Sequence, residues 1–320
     1  MRINKTKNQH YISQAEQKLN ALGPSSNKIY KFTRHSNCYL KAKKTSITSN
    51  LSEMDAFTYD ILDKGDRINL EHVFQKYENK VVWLSKFVVQ GLNATHNPEH
   101  YLFELYVCKM MGLFRNPNNI EFTLNALDVL NDHRPRNQQL YLLYMKVDSA
   151  NLGQIKYLSG KYGVTEQQYR DWLKLLLMVF EVSYDYSSNL LEQLSRQLFW
   201  DDTIGTSVYI YKYSDFNKGV LISDRGYVTT FNTDYTISMF NICSSAFMIV
   251  VFTNLALKVQ SFLSKRNKMQ HFSYLYHTVS ELTHFKYMVD DDTTLKCYNQ
   301  HCLNFSNKEV YSSSSSPLGL

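Results

Sequence analysis

Residues 220–230 read Val-Leu-Ile-Ser-Asp-Arg-Gly-Tyr-Val-Thr-Thr, an apolar run that breaks at Ser223-Asp224-Arg225-Gly226 and then resumes. The pattern predicts strand, tight turn, strand, with one carboxylate and one guanidinium at the mouth of a sheet, where sites form. An aspartate in that position equally serves the turn itself, by capping its own backbone. A second candidate lies on a helix expected over 69–91, where Glu71, Gln75 and Glu78 recur at i, i+4 and i+7. Two carboxylates and an amide in one row can coordinate a cation or position a water; the same row is also an ordinary solvated helix face. His10 and Gln14 would share a face one turn apart on a helix expected over 10–22. Cys297, His301 and Cys302 form a tight Cys/His cluster, with His271, His277 and His284 upstream. The cluster lacks the second Cys pair that structural zinc sites use, so zinc is disfavoured. No Gly-x-x-x-x-Gly-Lys-Ser/Thr, Gly-x-Gly-x-x-Gly or Gly-x-Ser-x-Gly run occurs, which weakens P-loop, dinucleotide-binding and α/β-hydrolase readings.

The elements that must position these groups follow from composition and periodicity. The chain has 320 residues with 24 Tyr and 18 Phe but only 11 Gly and 5 Pro, which favours long helices and a substantial core. Net charge is +6, densest near the N-terminus at Arg2, Lys5, Lys7, Lys28, Lys31, Arg34, Lys41, Lys43 and Lys44. Basic strands interleaved with Tyr30, Phe32 and Tyr39 could track a nucleic-acid backbone, or could be a solvated sheet face whose charges prevent aggregation. The cysteines number five, with no disulfide ladder, and residues 1–9 have no apolar signal core, so a reducing cytoplasm is expected. Residues 236–257 carry no charge and approach the length of a membrane span. Ser238, Asn241, Ser244, Ser245, Thr253 and Asn254 interrupt them, so a buried strand over 246–252 is expected, with Thr253 or Asn254 capping a helix from Leu255 and no membrane partner.

In chain order, 27–34 and 38–47 read as a hairpin. Helices are expected over 69–91, 98–114, 119–131, 138–149, 167–182 and 189–199, the fifth apolar nearly all round and therefore central. Strands are expected over 206–213, 220–223, 227–230 and 246–252, then a helix over 255–286. The expected fold is α+β: a largely helical middle, with a small mixed sheet formed by the N-terminal hairpin and C-terminal-half strands. It is drawn as one domain over 1–310 with a helical insertion over about 66–200, followed by a disordered Ser-rich tail over 311–320.

The segment Asn8-Gln9-His10-Tyr11-Ile12-Ser13-Gln14 resembles the opening of a large uncharacterised bacterial domain family that begins His-Tyr-aliphatic-Pro-Gln. Similar features follow in the same order: a strand like 29–32, a helix with the look of Leu70-Glu71…Tyr77-Glu78, a strand ending Ser-Asp-x-Pro, here Ser223-Asp224-Arg225-Gly226, and an apolar strand running to Asn254. The resemblance spans about 9–285 through short motifs. Ser13 and Gly226 stand where the family has proline. The resemblance implies that His10, Gln14, Glu71, Glu78, Asp224 and Asn254 converge.

One imidazole, several carboxylates and two amides suit a hard divalent cation such as Mg²⁺ or Mn²⁺, or an acid–base pair. The expectation is a metal-dependent phosphodiesterase or nuclease-like effector. Glu71, Glu78 and Asp224 would hold the metal, His10 would be general acid or base, and Arg225 would hold a phosphate oxygen. Phage defence or toxin action as its setting comes only from the resemblance. The alternative is a non-catalytic protein- or nucleic-acid-interaction component of a defence or toxin–antitoxin system, with a protein partner or a second copy of itself.

Overall fold

The computed structural model describes residues 3–35, 38–39, 41–61, 66–92, 95–149, 152–183, 188–201, 203–232, 234–255 and 284–320. The fold is α+β, as expected, and the chain divides into two compact units made of interleaved segments. The first comprises Met1–Gln17, Ser46–Val82 and Cys108–Gln193; the second comprises Lys18–Thr45, Trp83–Val107 and Leu194–Leu320.

The first unit is mainly helical. Its axis is the helix Glu166–Glu181, opened by a full capping box in which Thr165 and Gln168 satisfy each other's backbone N–H. Tyr169, Trp172, Leu173, Leu176 and Phe180 on this helix are buried, so the expectation of a central helix holds. The Trp172 indole donates to the Phe114 carbonyl at 2.9 Å. Phe57 meets Phe74 edge-on at 5.1 Å, and Phe74 meets Phe180 at 5.4 Å. This aromatic cluster lies under the first half of the Glu71–Gln90 helix, whose Phe74, Tyr77 and Val81, with Leu70 just before it, are buried members of the predicted core stripe. Short strands complete the unit. Ile3–Asn4, Arg67–Asn69 and Thr58–Ile61 make one antiparallel sheet, and Asn8–His10 pairs with Ser52–Met54.

The second unit holds two larger sheets. In one, Ile222–Ser223, Glu309–Ser312, Lys28–His35 and Cys38–Tyr39 lie side by side, with Lys43–Ser46 also on Lys28–His35. The N-terminal hairpin thus joins strands from the second half of the chain. The other sheet runs Val228–Phe231, Tyr235–Cys243, Ala246–Asn254, Ile204–Lys212, His284–Val289, antiparallel except for the parallel last pair. The uncharged stretch 236–254 is the hairpin within it, and no helix among the described residues is long and apolar enough to cross a membrane. The helix Asp292–Phe305 packs Leu295, Tyr298, Cys302 and Leu303 into a core with Phe32, Val228, Phe247 and Val310. The Tyr298 and Phe247 rings stack at 4.1 Å.

Three expectations need correction. His10 is in a strand, not a helix. The helix starts only at Gln14, because the Ser13 hydroxyl accepts the Glu16 N–H, and it ends at Lys18. The Ser-rich tail is placed rather than disordered: Val310, Tyr311 and Ser312 are buried in a strand, and the Leu318 N–H donates to the Lys218 carbonyl. Of the helix expected over 255–286, residues 284–286 belong to the strand His284–Val289, and 256–283 lie outside the described residues, with His271 and His277.

Asn299, fully buried, holds the tail against the helix. Its amide donates to the Gly219 and Leu318 carbonyls, and its oxygen accepts the Leu221 N–H. Asn299→Ala strands three backbone groups. We expect a loss of roughly 2–4 kcal/mol in urea unfolding and faster proteolysis after Ser312; unchanged stability would show that water replaces the amide.

Candidate functional site

The site begins at the end of the strand Asn8–His10. Gln9, fully buried, donates to the Thr58 hydroxyl at 3.1 Å and accepts the Phe57 N–H at 2.6 Å. Tyr11 then donates its N–H to the Leu51 carbonyl. Gln17 closes the next turn with bonds to the Ile12 and Asn50 carbonyls. These amides fix the direction in which His10 and Tyr11 leave the strand. Glu16, below them, pairs with Lys109 at 2.7 Å. Burial alone would raise the Glu16 carboxyl, but the Lys109 ammonium outweighs it and holds the group below its usual value.

Just beyond the helix Pro98–Phe114 lies Arg115, whose side chain has no solvent exposure. Its Nε donates to the Tyr11 carbonyl at 3.2 Å and its Nη1 to Glu78 Oε1 at 2.6 Å. The guanidinium also lies over the Phe74 ring, 5.1 Å from its centroid. His10 and Glu71 each feel the charges of Glu78 and Arg115. The Glu71 carboxyl is pushed up to about 7, first by burial, against the pull of Arg115 and with the push of Glu78. The His10 imidazole is lowered, again first by burial, although bonds to the Ile47 and Thr48 backbone pull it back.

Within this cluster three buried polar atoms have no hydrogen-bond partner: His10 Nε2, Glu71 Oε1 and Arg115 Nη2. Native proteins satisfy nearly all such atoms, so three at one place mark where a water or a ligand binds. The cluster is not sealed, since Glu78 keeps 28% of its side chain exposed. Nearby, His72 Nε2 meets Glu181 at 2.9 Å.

Of the residues the sequence singled out, His10, Glu71 and Glu78 come together. Gln14 is half-buried at the first position of its short helix, and Gln75 is exposed, so the Glu71–Gln75–Glu78 row does not act as three. Asp224, Arg225 and Asn254 belong to the second unit. There Asp224 is buried, and both carboxylate oxygens are taken: the N–H groups of Asn307, Lys308 and Glu309 donate at 2.8, 2.7 and 3.0 Å. The Ser223–Gly226 step is a turn closed by the Gly226 N–H on the Ser223 carbonyl. Gly226 has φ +79°, which a proline cannot adopt, so the departure from Ser-Asp-x-Pro changes this turn. Arg225 N–H donates to the Ser223 hydroxyl, and Asn254 ends its strand at the surface. Cys302 is buried, its thiol pushed up to about 12 by burial, while Cys297 is exposed on the same helix. Cys108 is a core residue as expected, whereas Cys243 is only half-buried.

No group of three or more His, Cys, Asp or Glu among the described residues could hold a metal ion. Of the Glu71, Glu78, Asp224 set expected for Mg²⁺ or Mn²⁺, Asp224 accepts three backbone N–H groups and Glu78 holds the Arg115 guanidinium. The fixed positive charge of Arg115 suits an anion. Sequence reasoning missed Arg115, Gln9 and Lys109; a single arginine after an apolar helix looks like an ordinary C-terminal charge. No protein-family model, curated protein or solved structure matches this chain, so the meaning of the site rests on its geometry.

Two outcomes follow. Asp224→Ala removes the acceptor of three part-buried backbone amides and is expected to lower stability by roughly 1–3 kcal/mol, read by urea unfolding; a folded variant of wild-type stability would contradict that structural role. The raised Glu71 carboxyl makes folding take up a proton between pH 4.5, its unfolded value, and about 7. Its contribution is therefore full below pH 4.5 and is lost as pH rises through about 7. Glu71→Gln should remove that slope, at most about 1.4 kcal/mol per pH unit across the window. Parallel stability–pH curves for variant and wild type would rule out the raised carboxyl.

Proposed function

We propose that the first unit carries an acid–base site for a phosphate ester, making the protein a nuclease-like phosphodiesterase. The observation that supports this most is the trio of unpartnered buried atoms on His10, Glu71 and Arg115. An acceptor, a carboxylic acid near neutrality and a guanidinium are the parts that transfer of a phosphate group needs: base, acid and a cation for the phosphoryl oxygens. Burial favours the neutral forms of both His10 and Glu71, so near neutral pH the imidazole accepts a proton and the carboxylic acid gives one. Glu78 holds Arg115 in place and offsets its charge. The basic strands of the second unit fit a nucleic-acid partner, with Lys28, Arg34, Lys41, Lys43 and Lys44 exposed and Lys31 neutralised by Glu309. A defence or toxin setting rests on the resemblance of the opening motif alone.

One observation favours the non-catalytic reading. Tyr141, Leu142 and Met145 are exposed together on the helix Gln138–Lys146, an apolar face of the kind that protein partners cover.

The two readings separate in an assay with bis(4-nitrophenyl) phosphate. Turnover by the wild type should fall by about 10²–10⁴ in both His10→Ala and Glu71→Gln; Glu71→Gln mimics the protonated acid and keeps the fold. Folded variants as active as the wild type, or a wild type without turnover, would leave the interaction component as the better description.

A further inference from the structure

The cluster supplies two groups that exchange protons and one that holds a phosphoryl oxygen. His10 Nε2 is the unpartnered acceptor, while the backbone at Ile47 and Thr48 engages the imidazole from another side. Glu71 Oε1 is the second unpartnered atom, two helical turns from Glu78 on the Glu71–Gln90 helix. Arg115 Nη2 is the third, and its guanidinium cannot swing away, because Nε and Nη1 are bonded to Tyr11 and Glu78 and its face covers Phe74. A phosphodiester that enters this cluster meets a fixed donor for one oxygen, a base and an acid. A hydroxyl that arrives with the substrate is the nucleophile such a cluster can use without also having to position a water.

Resting on the phosphodiesterase reading above, we propose that the substrate class is RNA and that the attacking group is the ribose 2′-hydroxyl next to the scissile phosphate. The O2′–H proton passes to His10 Nε2 as the P–O2′ bond forms. The P–O5′ bond breaks, and the departing 5′ oxygen takes the proton of the Glu71 carboxylic acid. The products are a 2′,3′-cyclic phosphate and a 5′-hydroxyl, with His10 left as imidazolium and Glu71 as carboxylate; return of one proton resets the pair. Arg115 Nη2 donates to a non-bridging oxygen throughout. Because attacking and attacked groups belong to one nucleotide, the reaction gains the large effective molarity of an intramolecular step and needs no held water.

Charged groups facing the pair come from two elements besides its own. Arg115, after the Pro98–Phe114 helix, acts on both His10 and Glu71, and so does Glu78. His72, beside Glu71 in sequence, is engaged by Glu181 from the central helix. The rate should therefore rise with pH as His10 loses its proton and fall again as Glu71 ionises near pH 7.

The test uses the full chain with EDTA present and three oligonucleotides of one sequence: all-ribo, all-deoxy, and deoxy with a single ribonucleotide. The expected result is cleavage of the all-ribo strand and, in the mixed strand, only on the 3′ side of the ribonucleotide. Mass spectrometry should find a 2′,3′-cyclic phosphate end. His10→Ala and Glu71→Gln should each lower the rate at least about 100-fold, and Glu71→Gln should change the alkaline limb of the pH profile. Equal cleavage of the all-deoxy strand, or activity that EDTA abolishes and Mn²⁺ restores, overturns the RNA inference while the phosphodiesterase reading stands. No cleavage of any strand together with turnover of bis(4-nitrophenyl) phosphate also overturns the RNA inference alone. Failure on all four substrates overturns both.

Discussion

A guanidinium with no access to water has to be paired on every side it can be, because an unpaired buried charge costs several kcal/mol. Arg115 is that group, and much of the first unit is arranged around it. The Tyr11 carbonyl, Glu78 and the Phe74 ring take three of its sides. Each belongs to a different stretch of chain, so one side chain ties the N-terminal arm and the Glu71–Gln90 helix to the end of the Pro98–Phe114 helix. Gln9, Gln17 and the Glu16–Lys109 pair then hold the arm in the path that brings Tyr11 to it. Nη2 is left over, and His10 Nε2 and Glu71 Oε1 are left over with it.

That arrangement explains the protonation pattern. Glu78 faces the guanidinium directly, so the pair is close to neutral and Glu71 gets only part of the benefit of the positive charge. Burial therefore decides for Glu71, and its carboxyl rises to about 7. The same burial works in the opposite sense on His10. Two neighbouring groups are thus driven toward their neutral forms, one holding a proton and the other able to take one, in one low-dielectric place. An isolated surface glutamate would be ionised near neutral pH and could not serve as the acid, whereas an isolated histidine would already be largely neutral, so it is the carboxyl whose state burial changes most.

How much of this was legible in the sequence depends on whether the deciding contact was local. The Glu71–Gln90 and Glu166–Glu181 helices announce themselves through apolar residues three and four apart, and the strand Ala246–Asn254 through its β-branched and aromatic run. His10 was misplaced because a helix-compatible segment is overridden by two non-local events, strand pairing with Ser52 and the cap at Ser13. The tail was misjudged because serine content speaks for disorder, whereas Val310 and Tyr311 fill a core and draw Ser312 into the sheet after them. Within the site, Glu71 and Glu78 were visible as a helical row. Arg115 was not, since its partners lie 37 and 104 residues away and nothing in its neighbourhood marks them.

The fate of two carboxylates shows why burial alone is a poor guide to chemistry. Asp224 and Glu71 are both withdrawn from water, and burial pushes both upward. Around Asp224 the chain has folded three amides onto the two oxygens, which pull against that push and fix the loop before Glu309. The energy of desolvation is largely offset inside the protein, by bonds to both oxygens. Around Glu71 it is not offset: Oε1 has no partner, and the nearest cation is already shared. A fold that needed only stability would be served better there by an apolar side chain, since a half-satisfied buried network is worse than none. The deficit at Glu71, matched by deficits on His10 and Arg115 beside it, is the physical reason to place the chemistry in the first unit, although the turn at Ser223–Gly226 reads more like a site from sequence.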